Sequence, residues 1–168
     1  MQKDRTLPRI AVGVLTLFLP FFAIAGVGCT PQQVMEAQLG VGLNQLRTEA
    51  GLPQIPVDPA LAKVARLRAE DMAQKEYFSH QAPDGCDFRC LMNLNGVATA
   101  WAGEVIAWNN APLQDSAAMT INLWRNSPTH YGIITGCQFT RMGTGAAVAR
   151  DGRIYHVAVF EGNGSPCQ

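Results

Sequence analysis

A run of 19 residues without a charge, at positions 10–28, constrains this chain more than any other feature. Lys3, Arg5 and Arg9 precede the run, and a basic segment followed by an apolar one is the pattern of a secretory signal. An exported domain folds without such a segment and in an oxidising compartment. The chain is therefore divided into a signal or lipoprotein signal, a segment leading into the first helix, and one folded domain: residues 1–28, 29–40 and 41–168.

Three ways of processing this signal stay open. The tripeptide AIA ending at Ala25 has the small-x-small form that a signal peptidase cleaves. The stretch GVGC instead resembles a bacterial lipobox, in which Cys29 would carry the lipid. An uncleaved anchor is the third reading, because 19 residues approach the roughly 20 needed to span a bilayer. All three predict an extracellular or cell-envelope protein, and the last two add membrane association through the N-terminus.

The charge balance argues against nucleic acid as a partner. Removing residues 1–25 takes away three of 13 basic and one of 13 acidic residues, which leaves a net charge of −2. Proteins that bind nucleic acid instead concentrate basic residues on one face.

The chain has five cysteines, an odd number for an exported protein. If Cys29 carries a lipid, four remain, and four cysteines allow three connectivities. We favour Cys86–Cys90 and Cys137–Cys167, because a free chain end gains most from a crosslink. The stretch CDFRC lacks the CxxC spacing of common redox and metal motifs, which favours a structural disulfide there.

Three stretches combine a helical repeat of apolar residues with helix start and stop signals. The first runs from the cap Thr30 to Gly51, and the second follows the cap Asp58 and extends to Phe78. The third spans residues 111–128, where Pro128 is expected to end it. The residues predicted to face inward are Val34, Leu39, Leu43 and Leu46; Leu61, Val64, Ala65, Ala69, Met72 and Ala73; and Leu113, Ala117, Met119, Ile121 and Trp124.

The other regular segments are short. Residues 86–96 form a helical or irregular piece, and residues 100–108 have extended character. Two strand-like runs near the C-terminus are joined by Asp151–Gly152, which is a strong hairpin signal. This order of elements predicts an α+β domain with helices packed on a small, mostly antiparallel sheet.

Common catalytic motifs are missing from the sequence: it has no HExxH, GxSxG, P-loop or Rossmann glycine pattern. Three polar residues remain at the edges of apolar elements: His80 after the second helix, Glu104 within WAGEVIAW, and His130 after the third helix. Two imidazoles and a carboxylate are a ligand set for a divalent metal such as zinc, with a position left open for water.

Each of these residues also has an interpretation without chemistry. A histidine at a helix end often contacts the last carbonyl groups. Glu104 lies among apolar residues and needs a partner if it is buried. His156 shares one strand face with Ile154, Ala158 and Phe160 by alternation, which predicts packing, with the lining of the same cleft as the alternative.

Several short motifs follow, in order, the pattern of one known family. They comprise Leu43, Asn44, Arg47, Gly51 and Leu52; Asp58, Pro59, Leu61 and Ala65; Met72, and FSH ending in His80 before PDG at 83–85; Gly103, Glu104 and Val105; Trp124, Ser127, Pro128 and His130; and Gly143, Gly145, Asp151, Gly152, Tyr155 and Phe160. On these motifs, residues 41–161 resemble the CAP superfamily, also called the SCP-like or pathogenesis-related-1 domain, in its bacterial form.

The resemblance implies an α-β-α sandwich with a central cleft lined by two histidines and acidic residues. In members that bind metal, the matching positions here are His80, Glu104 and His130. Two departures predict a weaker site: Val105 replaces the usual Asn after the glutamate, and a second cleft glutamate has no match between Ala117 and Thr129. Water or Ser127 would then stand in for the missing ligand.

Three functions remain open at this point. The first is an exported domain whose cleft binds a divalent metal and a small hydrophobic or peptide ligand. The second is a metal-assisted hydrolase in which Glu104 serves as general base. The third is a structural or protein-interaction domain of the cell envelope with an inert cleft.

Overall fold

The computed structural model describes residues 28–164, which contain five helices and three strands. In chain order these are α1 (Pro31–Glu49), α2 (Pro59–Lys75), α3 (Phe88–Leu94), β1 (Trp101–Asn109), α4 (Leu113–Arg125), α5 (Pro128–Ile134), β2 (Phe139–Val148) and β3 (Ile154–Gly162). The strands form one antiparallel sheet in the order β1-β3-β2. Within residues 28–164, no helix has the length and apolar character needed to cross a membrane. The signal predicted upstream lies outside the described residues.

The sheet lies between two layers of helices, and each layer closes one apolar core. One core contains Leu43 of α1, Trp124 of α4 and Phe160 of β3. The other contains Leu61 and Met72 of α2, packed against the opposite face of the sheet. The predicted α-β-α sandwich with a small antiparallel sheet is thereby confirmed.

The ends of α2 decide where the following segment goes. Asp58 caps the helix, since its carboxylate accepts hydrogen bonds from the backbone N–H groups of Ala60 and Leu61. The helix ends at Lys75, three residues before the predicted end, because Glu76 takes a left-handed conformation with φ of 57°. The chain therefore leaves the helix before His80 and turns that residue towards β1.

Parts of the helix prediction are wrong. Val34, Leu113 and Met119 were expected to face inward, but they are exposed on the outer sides of α1 and α4, which are covered on one face only. The prediction also lacked α5. Pro128 is the first residue of that helix, where its missing N–H and fixed φ are tolerated, so His130 lies within a helix.

The cysteines follow the prediction where the structure describes them. Cys86 and Cys90 form a disulfide, and Cys29 is free and exposed. Cys137 is disulfide-bonded, and its predicted partner, Cys167, lies outside the described residues. Lipidation of Cys29 stays a prediction.

A buried polar network joins the sheet to α4. His156 of β3 is fully buried, and its Nε2 lies 2.7 Å from Oγ of Ser116. Ser116 Oγ donates to Oδ1 of Asn109 at 2.9 Å, and Nδ2 of Asn109 donates to Oγ1 of Thr120 at 2.9 Å. Nδ1 of His156 has no hydrogen-bond partner among the described residues. Burial lowers the pKa of His156 to about 4, so the imidazole is neutral in the folded protein at neutral pH.

We expect Gly143→Ala and Gly145→Ala to destabilise the fold. A Cβ at position 143 would lie 2.0 Å from the carbonyl carbon of Leu61, and one at position 145 would lie 2.2 Å from that of Ala65. Overpacking of this kind costs about 1–3 kcal/mol, and here rigid backbone would have to move. Urea unfolding measures the change in the free energy of unfolding.

Gly132→Ala in α5 is the matched control, because a Cβ there meets nothing within 4 Å. Alanine in a helix is favoured over glycine by roughly 0.5–1 kcal/mol, so this variant should be at least as stable as the wild type. Wild-type stability in Gly143→Ala would contradict the close packing of α2 on β2.

His156 should make the fold sensitive to acid. Its pKa is about 4 when folded against an ordinary 6.5, so the unfolded chain binds one more proton between these pH values. The stabilisation is complete above about pH 6.5 and falls between pH 6.5 and 4, by at most about 1.4 kcal/mol per pH unit. The free energy of unfolding against pH should lose this slope in His156→Gln. An unchanged slope in that variant would assign the acid sensitivity to other groups.

Candidate functional site

His80 and Glu104 form a close pair between the end of α2 and strand β1. Nδ1 of His80 lies 2.7 Å from Oε2 of Glu104. The glutamate side chain is 1% exposed, whereas the histidine side chain is 57% exposed. The pair thus has a buried anchor and an accessible imidazole, and the nitrogen available to a ligand is Nε2.

Arg68 of α2 forms hydrogen bonds to both members of this pair. The residue is fully buried, and its Nε donates to Oε1 of Glu104 at 3.0 Å. One terminal nitrogen donates to the hydroxyl of Tyr77 at 2.9 Å, and the other donates to the carbonyl oxygens of Ser79 and His80, each at 2.9 Å. Burial disfavours the charged guanidinium, but hydrogen bonding and charge attraction from Glu104 outweigh it and raise the pKa of Arg68.

The network continues outward through Tyr77. The Tyr77 hydroxyl donates to Oδ2 of Asp71 at 2.6 Å, and Asp71 pairs with Lys75 at 2.7 Å. Burial, followed by the bond to Asp71, raises the pKa of Tyr77 to about 12. Tyr77 therefore stays a neutral hydroxyl that accepts from Arg68 and donates to Asp71.

His130 is anchored in a similar way. Its Nδ1 lies 2.8 Å from Oγ of Ser127, the residue that precedes α5. The Ser127 side chain makes no capping hydrogen bond to the backbone of α5, which leaves its hydroxyl to the His130 ring. Burial, and then the charge of His80, lowers the pKa of His130. His130 is therefore neutral at neutral pH. It lies close enough to His80 for the charge of that residue to lower its pKa. The Nε2 atom of His130 is left for a ligand.

A pocket of about 370 Å³ opens beside His80 and Glu104. Its walls include Phe88 and Arg89 of α3, Gly103 of β1 and Ile133 of α5. Three larger hollows have no histidine in their linings: two of about 670 and 550 Å³ flank α1, and one of about 440 Å³ lies beside Trp108. We place the candidate site at the smaller pocket, because the accessible imidazole of His80 lies there.

The three-ligand metal centre predicted from His80, Glu104 and His130 stays a prediction. Among residues 28–164, no group of three or more His, Cys, Asp or Glu side chains is arranged to hold a metal ion. Both carboxylate oxygens of Glu104 already have partners, Arg68 for Oε1 and His80 for Oε2. His156 is buried in the network with Ser116 and does not line the pocket beside His80.

Sequence reasoning missed Arg68 and Tyr77. The one signal for Arg68 was its place on the apolar stripe of the second helix, three residues after Ala65 and four before Met72. A charged residue on the buried side of a helix needs a partner. Glu104 was the acidic residue expected to need one, so the two could have been paired.

Comparisons with known proteins agree on one family. The model of the cysteine-rich secretory protein family, abbreviated CAP, matches residues 42–160. The uncharacterized protein YkwD of Bacillus subtilis (strain 168) is 35% identical over 103 residues, which cover 61% of this chain and 38% of YkwD. The chain spans about a third of the length of the curated relatives it matches.

Two solved structures share the fold of this chain. An extracellular protein containing a SCP domain from Bacillus anthracis str. Ames has a TM-score of 0.69 and 25% identity, over 81% of this chain and 45% of that one. The crystal structure of NaASP2 with Zn²⁺ has a TM-score of 0.54 and 14% identity, over 81% of this chain and 88% of that one. The family match over residues 42–160 and the shared fold show that this chain belongs to the cysteine-rich secretory protein (CAP) family.

Proposed function

We propose that this chain is an exported CAP domain that binds a divalent metal ion, such as zinc, at Nε2 of His80 and Nε2 of His130. The observation that carries the proposal is the pair of His80 with a fully buried Glu104, at 2.7 Å. Histidines that bind metal commonly give their other nitrogen to a carboxylate, a carbonyl group or water, which fixes the tautomer and the ring.

The two imidazoles are suitable ligands for a metal, but their small number limits the affinity. Each imidazole is held through Nδ1, His80 by Glu104 and His130 by Ser127. The hydroxyl of Ser127 can accept from Nδ1–H of His130 just as the carboxylate accepts from His80, and in that tautomer both Nε2 atoms are available to a metal. Neutral imidazole is a ligand that zinc accepts readily. Two protein ligands are fewer than the three of most catalytic zinc sites, so we expect weak binding in which water or an external ligand supplies the other positions. When bound, the metal would supply a Lewis acid beside the pocket.

The ligand for the adjoining pocket is proposed to be a small molecule or a peptide segment with an apolar part. Phe88 and Ile133 give the pocket apolar walls, and Arg89 stands at its side with its guanidinium stacked 5.3 Å from the centre of the Phe88 ring. A pocket of about 370 Å³ is within the size range of sites for small ligands.

The geometry favours binding over hydrolysis by Glu104. A general base must reach the water or group from which it takes a proton. The Glu104 side chain is 1% exposed, and its two oxygens face Arg68 and His80. We therefore assign Glu104 the orientation of His80.

Export is proposed from two independent observations. The residues before the domain have the pattern of a secretory signal, and the Cys86–Cys90 disulfide is of a kind that persists in oxidising compartments. The similar Bacillus anthracis protein is described as extracellular. Anchoring through Cys29 is kept as the further proposal, to be tested by the loss of lipid in Cys29→Ser.

Calorimetric titration of the purified protein with zinc should show one weak site. His80→Gln and His130→Gln should each lower the affinity by more than about tenfold, because loss of a ligand costs at least as much as the 10–100-fold loss from a missing outer partner. Gln81→Ala is the matched control, since Gln81 lines the same pocket and is expected to leave zinc affinity unchanged.

Wild-type affinity in both histidine variants would remove the metal site from this cleft. Absence of zinc binding by the wild-type protein would favour the inert cleft of an interaction domain.

A further inference from the structure

We propose that Arg68 is a positioning residue that sets the orientation and tautomer of His80, an inference that rests on the proposed function of His80 as the ligand-binding residue. One guanidinium contacts both partners of the His80–Glu104 pair: Glu104 through its carboxylate and His80 through its backbone carbonyl. A residue bonded to both partners fixes the distance between them.

The segment that carries His80 depends on this guanidinium. Beyond Lys75 the chain has left α2, so the regular helical bonds no longer hold it. Arg68 donates to the carbonyl oxygens of Ser79 and His80 and to the hydroxyl of Tyr77. These bonds come from a side chain that is fully buried in the core and has little freedom to move. These hydrogen bonds therefore fix the segment that carries His80 against α2.

The charge of Arg68 has a separate consequence. Without a cation, a charged carboxylate buried to the extent of Glu104 would be costly, and a neutral carboxyl group in its place would donate to Nδ1 of His80 and favour the Nε2–H form. With Arg68 bonded to Oε1, the other oxygen is left to accept from Nδ1–H of His80. The arrangement therefore selects the tautomer of His80 with the proton on Nδ1 and the lone pair on Nε2.

Arg47 provides a matched control within the same chain. It is also a buried arginine, and its guanidinium donates to the carbonyl oxygens of Pro53, Ile134 and Gly136. These acceptors are backbone groups away from the His80–Glu104 pair. Arg47→Met should therefore reproduce the structural cost of losing a buried arginine without acting directly on His80.

The test is ¹⁵N NMR of the histidine rings in the metal-free protein near pH 8, where an ordinary imidazole is neutral. The wild type and Arg47→Met should show His80 with the proton on Nδ1. Arg68→Met should shift His80 towards the Nε2–H form that predominates in free histidine. Arg68→Lys keeps the charge but not the branched set of donors, so it should also lose the wild-type signature and serves if Arg68→Met does not fold.

A wild-type tautomer in the folded Arg68 variants would overturn the proposal, and so would an equal shift in Arg47→Met. Because the measurement contains no metal, it is independent of the zinc titration. An Arg68-dependent tautomer in a protein that does not bind zinc would retain Arg68 as the positioning residue and reject only the metal.

Discussion

The buried ion pair between Arg68 and Glu104 is the interaction on which the rest of the site depends. It joins the inner side of α2 to strand β1 at a distance of 3.0 Å, with both side chains 1% exposed. Two charges in such a place are tolerated because each has further hydrogen bonds, and removing one partner of such a pair costs about 3–5 kcal/mol. The ion pair therefore links two layers of the sandwich and at the same time supports His80 at the surface.

This arrangement separates the rigid part of the site from the part that meets a ligand. Glu104 and Arg68 belong to the core, whereas His80 is more than half exposed beside a pocket with apolar walls. His130 approaches from α5 and is held by Ser127. We propose these two anchored imidazoles as the place where a metal or another ligand binds.

The sequence predicted the fold class and, apart from α5, the order of the elements, but it did not predict the partners that hold the candidate site residues. Family motifs singled out His80, Glu104 and His130 as candidates, because each lies at a fixed place in a short sequence pattern. The main partner of Glu104 was not predicted, because Arg68 is 36 residues away and a repeat of apolar residues does not indicate where a buried charge lies. Helix α5 was missed because Pro128 fits both the end of one helix and the first residue of the next.

A double-mutant cycle on the free energy of unfolding tests the central claim most directly. Arg68→Met and Glu104→Gln each leave one buried group without its charged partner, so each should cost about 3–5 kcal/mol. The double variant removes both charges and should lose much less than the sum of the single losses. Losses that add to within about 0.5 kcal/mol would show that the two residues act independently, and would contradict the account of a core ion pair that supports the site.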